Sequence, residues 1–547
     1  MAEGLFDAYL AGAAGDFYPG HFADAAARCA AVRAAARPLA PAVAAALEAQ
    51  NARLAPSPAR DAHLAALRRG AAAVVTGQQV GLFLGPLFTI YKAASAVAVA
   101  RALSEESGTT VVPVFWLQTE DHDLPEIATC HLAQFSEAPI ALRLPAAPDE
   151  RISIAHRTLP HEVTERLAQV GDALRWLPDA ETHVARLARH YRPGVGWAEA
   201  FAGLLGDLFA PTGLVLIDPR TPELAAASAP VHRRALVDAE PLAAALAARV
   251  AALAAAGYPA PVHVRPGSPL SFFHDDGPAG PRHRLVPAPG GFTEVGRDRT
   301  HARETLLARL DAEPQCFSTS ALLRPILQDT LLPTAAYVGG PAEVAYFAQL
   351  SPLYDAYALR MPLIVPRASF RLVDELTAFH LEKTFGVSTA AAEGSEAALL
   401  AALDATSATQ QTWSEVMASR LSEGFELALR NAEPAFTRAS PAERVAFEKT
   451  ARSVRRAVAK MTAKTQGQRL YHEKQRIEHA RLIQHRLFPN GVAQERICGL
   501  SYYAARFGEA AVIDRVLSAV APFDPTRRDI VLTDYDSMTS PPPGGPA

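Results

Sequence analysis

Five short apolar, largely β-branched runs punctuate the chain, at 72–76, 111–116, 213–218, 334–338 and 362–365, each followed by a helical pattern. Strands that are apolar on both faces and alternate with helices predict an α/β fold built on a parallel sheet covered on both sides. Ligands bind such sheets beyond the carboxyl ends of the strands. Those strand ends are the first places to look for chemistry.

The stretches between the runs are uneven in length. Residues 145–210 and 223–300 exceed what a simple crossover needs and read as two inserted subdomains around a single core strand in 211–222. An N-terminal helical segment at 1–70 precedes the first part of the core, 71–144, and the second part occupies 301–390. From 391 to 488 turn residues nearly vanish, which predicts a helical hairpin interrupted at Glu433-Pro434 through Ser440-Pro441. Ser440-Pro441-Ala442-Glu443 has the N-cap serine, N1 proline and N3 glutamate of a capping box, so the second arm starts there. Continued to Phe488, that arm would be about 70 Å long. Ala451, Val454, Val458 and Met461 keep the 3,4 spacing of a coiled-coil seam. A C-terminal return segment at 489–538 and a disordered proline-rich tail at 539–547 complete the division.

At 547 residues the chain is too long for one hydrophobic core, since single cores stop growing near roughly 250 to 300 residues. With 49% hydrophobic and 20% charged residues, most of it is expected to fold. A formal net charge of -4 gives no electrostatic reason to expect nucleic acid or an anionic membrane as partner, so small molecules are the better expectation. No signal-peptide pattern opens the chain and no apolar run is long enough for a membrane span. Cys29, Cys130, Cys316 and Cys498 are scattered without zinc-ligand spacing and read as reduced thiols of a cytoplasmic protein.

Three strand ends carry candidate chemistry. In the first, Thr76-Gly77-Gln78-Gln79 leads through Gly81 and Gly85-Pro86 into a helical pattern. A glycine loop between strand and helix lets backbone amides approach an anion, and the helix N-terminus adds partial positive charge. Thr76, Gly77, Gln78, Gln79 and Gly85 are therefore candidate phosphate or carboxylate binders. A structural turn is the alternative, because neither standard nucleotide fingerprint is present. Lys92, in the second helical turn, leans back towards the loop and can reach its ligand, or can serve as a surface lysine.

The second end is Glu120-Asp121-His122-Asp123. Three carboxylates around a histidine can hold an ammonium group, a magnesium ion or a proton in transit, with an exposed acidic turn as the alternative. No second histidine or cysteine follows at ligand spacing, so no protein-bound zinc is expected. The third end, Gly339-Gly340-Pro341-Ala342-Glu343, repeats the anion-binding arrangement of the first. Arg324 and Arg367 each stand beside a strand or turn, where arginine suits bidentate recognition of phosphate or carboxylate; structural salt bridges explain them equally well. Ser271 through Gly277, with Arg282 and Arg284 after it, reads as a hairpin in the second insertion, and a substrate role is its alternative.

Taken in order, Thr76-Gly77-Gln78-Gln79, Gly85-Pro86-Leu87-Phe88-Thr89-Ile90-Tyr91-Lys92 and Glu120-Asp121-His122-Asp123 resemble the BshC family, the cysteine-adding enzymes of bacillithiol biosynthesis. The likeness extends to Leu322-Leu323-Arg324-Pro325, Leu331-Leu332-Pro333-Thr334, Tyr337-Val338-Gly339-Gly340-Pro341, Val365-Pro366-Arg367-Ala368-Ser369 and Leu487-Phe488-Pro489-Asn490-Gly491-Val492 with Gln494-Glu495-Arg496. The resemblance implies a Rossmann-like core with two connecting-peptide insertions, a coiled coil used to form a homodimer, and an ATP or ADP site with or without Mg2+. It also implies cysteine and glucosaminyl malate as substrates.

Joining those substrates makes an amide, and a free carboxylate is too poor an electrophile for direct attack, so activation by ATP is expected. On this reading Asp121, His122 and Asp123 handle an ammonium group or a proton, with Lys92 as a further catalytic residue. Thr76, Gly77, Gln78, Gln79, Gly85, Glu120, Arg324, Gly339, Gly340, Glu343 and Arg367 bind substrate or anion, and Asn490 and Gly491 contact nucleotide. Two alternatives remain: a class I synthetase-like nucleotidyltransferase acting on another small acid, and a dimeric nucleotide-binding scaffold protein.

Overall fold

The computed structural model describes residues 4–134, 137–145, 150–389, 400 and 413–533. The expected tail at 539–547 and most of 391–412 lie outside the described residues. The chain divides into two units, one formed by Met1–Gln134, Pro139–Leu372 and Gln494–Ala547, the other by Phe135–Ala138 and Val373–Ala493.

In the first unit, β1 (Ala72–Gln79) and β2 (Val111–Gln118) are joined by the helix Phe88–Ser107. A small hairpin, β3 (Thr129–Leu132) and β4 (Ile140–Arg143), precedes β5 (Val215–Ile217). Next come β6 (Ser271–Phe273), β7 (His283–Ala288), β8 (Gly291–Glu294), β9 (Thr300–Ala302) and β10 (Phe317–Thr319), and then β11 (Thr334–Gly339) and β12 (Leu363–Pro366). The five apolar runs read from the sequence are the five strands of one sheet, in the order β12-β11-β1-β2-β5, with every neighbouring pair parallel. Ala73, Val74, Val75, Val112 and Val114 are fully buried, as strands covered on both faces require. Burying each valine contributes about 1.5 to 3 kcal/mol against leaving it exposed.

Strand order places the site. From β1 the chain runs outward through β2 to β5, then returns to the opposite side of β1 for β11 and β12. A crevice therefore opens between the carboxyl ends of β1 and β11, where the winding direction reverses.

The stretch after β5 builds an antiparallel sheet, β10-β6-β7-β8-β9. Its edge strand β10 comes from 317–319, beyond the expected end of the second insertion at 300, because Phe317, Ser318 and Thr319 pair with Phe273, Phe272 and Ser271. The helices Val163–Leu174, Ala180–His190 and Trp197–Leu208 fill the earlier stretch and share an apolar cluster with Tyr502, Tyr503, Val512 and Ile513 near the C-terminus.

The second unit contains the helices Trp413–Ala432 and Pro441–Leu487, separated by a turn over Glu433–Arg438. Ser440 is the N-cap of the longer helix: its backbone N–H donates to Glu443 Oε2 at 2.8 Å, and its hydroxyl oxygen accepts from the Glu443 N–H. Ala451 is buried, whereas Met461 is 37% exposed. At the far end, Arg486 donates to both carboxylate oxygens of Asp374 at 2.7 and 2.8 Å. Among the described residues no helix is long and apolar enough to cross a membrane.

Candidate anion-binding site at the switch point

A cavity of about 340 Å³ occupies the crevice beyond β1 and β11. Its floor is a buried polar network. Lys92, 4% exposed, projects from the helix after β1 and donates to Gly77 O at 2.8 Å and Gln78 Oε1 at 3.0 Å. Its ammonium also meets Glu343 Oε2 at 2.5 Å. Glu343 lies in the first turn of the helix Pro341–Phe347, where it accepts from the Gly340 N–H at 2.9 Å and the Tyr337 hydroxyl at 2.6 Å. Burial pushes the Lys92 ammonium below its ordinary pKa and Glu343 opposes that shift. For Glu343 burial acts upward, but Lys92, the Tyr337 hydroxyl and the Gly340 N–H together hold the carboxyl low.

Two buried arginines complete the wall. Arg324 donates to Gln328 Oε1 at 2.8 Å, to Tyr346 Oη at 2.7 Å and to Tyr337 Oη at 3.3 Å, all neutral oxygens. Arg367 forms a two-pronged pair with Glu495 at 2.8 and 3.0 Å. The exposed Arg496 also lines the cavity. Lys92 and Arg367 are each paired with a carboxylate, whereas Arg324 meets only neutral oxygens, and its buried charge favours an anion in the space it borders.

The acidic motif after β2 is split by its surroundings. Glu120 turns inward and accepts from the Thr319 N–H at 3.2 Å and from the Thr319 hydroxyl, tying β2 to β10. Asp121 lines the cavity, accepts from Gln79 Nε2 at 3.0 Å and lies 3.3 Å from Arg282 Nη1. Burial works to raise its pKa, but His122, Arg282 and Gln79 together hold it well below the usual carboxylate range. The His122 imidazole Nδ1 is 3.5 Å from Asp121 Oδ1. Asp123 caps the short helix Leu124–Ile127 at the surface, accepting from the Glu126 N–H.

Gly77, Gln78, Gln79, Lys92, Asp121, Arg324, Gly340, Glu343 and Arg367 are therefore brought to one cavity. Thr76 is not among its lining residues; its hydroxyl donates to Val338 O inside the sheet. Gly85, with φ +66°, turns the chain within a loop whose Leu82, Phe83 and Leu84 are buried apolar contacts. Gly339 accepts the Arg367 N–H at 2.8 Å through its carbonyl. Asn490 and Gly491 form a positive-φ turn after the long helix in the second unit. Phe88, Trp116, Gln118, Glu126, Tyr337, Tyr346 and Arg496 also line the cavity and were not among the candidate site residues, although Phe88 and Arg496 stand in motifs quoted above. Tyr337 lies inside a motif already noted, whereas Tyr346 carries no local signal.

Among the described residues, ligand atoms of Asp275, Glu294 and His301 lie within 4.8 Å of one another. Arg299 pairs with Asp275 at 2.5 Å and His301 bonds Glu294 at 2.6 Å, so this cluster closes on itself within the antiparallel sheet.

A parallel core with a cavity at the carboxyl ends of its strands defines a Rossmann-like protein. Comparison with known proteins is specific: the chain belongs to the BshC family of bacillithiol biosynthesis. Its residues 4–368 match the family model "Bacillithiol biosynthesis BshC, N-terminal Rossmann-like domain", and residues 427–530 match "Bacillithiol biosynthesis BshC, C-terminal coiled-coil domain". It is 38% identical over 476 residues, 85% of each chain, to a Koribacter versatilis protein named "Putative cysteine ligase BshC". Proteins of the same name from Salinibacter ruber and Heliobacterium modesticaldum are 39% identical over 366 residues, 66% of each chain, and 34% identical over 467 residues, 82% of this chain and 81% of the relative. The Rossmann-like core and coiled-coil domain expected from the motifs agree with these matches.

Proposed function

We propose that the chain is a ligase that joins the carboxylate of cysteine to the amine of glucosaminyl malate, forming bacillithiol, with ATP as the activating substrate. The observation that carries this reading is the buried Arg324 at the switch-point cavity, a cation that meets only neutral oxygens, in a chain whose relatives bear the cysteine ligase name. Activation transfers to the cysteine carboxylate either the adenylyl group of ATP, breaking the α–β phosphoanhydride and releasing pyrophosphate, or its γ-phosphoryl group, breaking the β–γ phosphoanhydride and releasing ADP. The amine nitrogen then attacks the acyl carbon, the C–N bond forms, and the C–O bond to phosphate breaks with its electron pair leaving on the phosphate.

The chain's own groups suit those steps. The Arg324 guanidinium on the cavity wall stabilises phosphate charge that grows during activation. The depressed pKa of Asp121 keeps it ionised to hold the incoming ammonium, and His122 beside it is positioned to take the amine proton. Glu126, which accepts from Gln79 Nε2 at 2.8 Å, supplies an oxygen donor of the kind a nucleotide-bound Mg2+ prefers. A homodimer through the coiled-coil domain belongs to the same proposal, supported by the exposure of Leu421, Leu427 and Val445 on the long helices. So does a cytoplasmic location, which accords with four free cysteines.

The test is complementation of a strain lacking the cysteine-adding step, with wild type and with His122→Ala at equal abundance, scoring bacillithiol and glucosaminyl malate by mass spectrometry. Wild type should restore bacillithiol and the variant should leave glucosaminyl malate accumulated. Accumulation with soluble wild type would remove the ligase assignment. Cysteine-dependent exchange of pyrophosphate into ATP would distinguish adenylate from acyl phosphate.

A further inference from the structure

A second cavity, of about 420 Å³, adjoins the first. The two share Gln118, Asp121 and Ala321 in their walls. The far wall comes from the antiparallel sheet and the loop before it, bringing Arg265, Arg282 and Arg284 to one space in which, among the described residues, Asp121 is the lone lining carboxylate.

The strand register explains the convergence. Phe272 on β6 pairs directly with Arg284 on β7, and the two-residue period of a strand puts Arg282 on the same face as Arg284. Both guanidiniums lie over the Phe272 ring, at 4.0 Å for Arg282 and 5.8 Å for Arg284. Stacking on an aromatic face orients a guanidinium while leaving its N–H edges available.

Arg282 is 5% exposed and spends Nη2 on Thr319 O and Nη1 on Asp121. Its buried Nε–H has no partner. Among the described residues neither Arg265 nor Arg284 has an ion-pair partner. Arg284 is instead crowded by Arg265 and Arg151, which add to burial in pushing its pKa down. Like charges gathered in this way, with an orphaned buried donor among them, are relieved by a bound anion.

We propose that this second cavity is the acceptor site: Arg265 and Arg284 bind a small dicarboxylate, and the amine carried by that molecule meets Asp121 at the boundary with the first cavity. The identity of that molecule as the amino-sugar malate rests on the ligase reading above; the dicarboxylate site itself does not. Its two carboxylates match two arginines free of carboxylate partners. Asp121, the carboxylate common to both walls, is the one group placed to hold an ammonium between a donor activated in the first cavity and an acceptor held in the second.

Calorimetric titration of the purified full chain with malate, with glucosaminyl malate and with ATP tests this, using wild type, Arg265→Ala and Arg284→Gln. Arg265 is exposed and Arg284 half-buried, so both variants should fold, as an unchanged thermal midpoint would show. Each should weaken glucosaminyl malate about tenfold, the loss expected for one charge-assisted contact, and leave ATP affinity unchanged. Malate binding that depends on Arg284, with no binding of glucosaminyl malate, would uphold the dicarboxylate site and remove the ligase reading. Glucosaminyl malate binding that is indifferent to both substitutions would leave the ligase reading intact and overturn the acceptor site. A loss confined to ATP would do the same, and failure of both malate and glucosaminyl malate to bind wild type would overturn the acceptor site and the ligase reading together.

Discussion

Glu343→Gln isolates the electrostatics of the cavity floor, because it removes one charge and almost no volume. The Lys92 ammonium would keep Gly77 O at 2.8 Å and Gln78 Oε1 at 3.0 Å but lose the carboxylate at 2.5 Å. Removing one partner of a buried pair costs about 3 to 5 kcal/mol. Glu343 is still 22% exposed at its side chain, which points to the lower end, about 3 kcal/mol. Lys92→Met strands the carboxylate instead and should cost a similar amount. The double variant buries no unpaired charge and should lose clearly less than the sum.

The pH dependence carries the sign. Burial lowers the pKa of Lys92 and Glu343 raises it, so Glu343→Gln depresses the folded-state value further below the unfolded value. The unfolded chain then binds more protons, and the variant should regain stability as pH rises towards the unfolded lysine pKa. Urea unfolding followed by tryptophan fluorescence, at pH 7 and pH 9.5, measures both effects. Equal stability of Glu343→Gln and wild type at both pH values would refute the buried pair as a determinant of this floor.

Two further expectations follow from burial. Asp329 is 5% exposed, bonded to Tyr354 Oη and Gln328 Nε2, and desolvation raises its pKa to about 6; its stabilising contribution is complete below pH ~4 and is lost as pH rises through ~6. Asp329→Asn should therefore gain about 3 kcal/mol relative to wild type between pH 4 and pH 7.5, and a pH-independent difference in urea unfolding would contradict this. Burial also pushes the Cys130 and Cys498 thiols up to about 12, while Cys316 is buried and Cys29 partly exposed. A thiol reagent should modify Cys29 rapidly in the native chain and all four cysteines in urea; rapid native labelling of Cys130 would contradict the packing.

Much of the scaffold was legible in the residues. Apolar runs at 72–76 and 334–338 marked β1 and β11 because a strand covered on both faces has no polar side to display. The capping box at Ser440 marked a helix start because its hydrogen bonds are local. The cavity was legible only in part. Lys92 and Glu343 stood in motifs already noted, but their ion pair joins helices that follow two different strands, β1 and β11. Arg367 could be read as a ligand or as a salt bridge, and its partner Glu495 lies 128 positions away.

By itself, the sequence determined which segments become strands and helices, since periodicity and capping depend on residues within a few positions of one another. It also marked three strand ends able to carry chemistry. Tertiary structure alone decided the order β12-β11-β1-β2-β5, which turned two of those ends into facing walls of one crevice. It decided that Glu120 anchors β10 while Asp121, one residue later, lines both cavities. It also set Arg282 and Arg284 against Phe272, a consequence of strand register. Such pairings are fixed by burial and shape between segments far apart in the chain, and no local pattern encodes them.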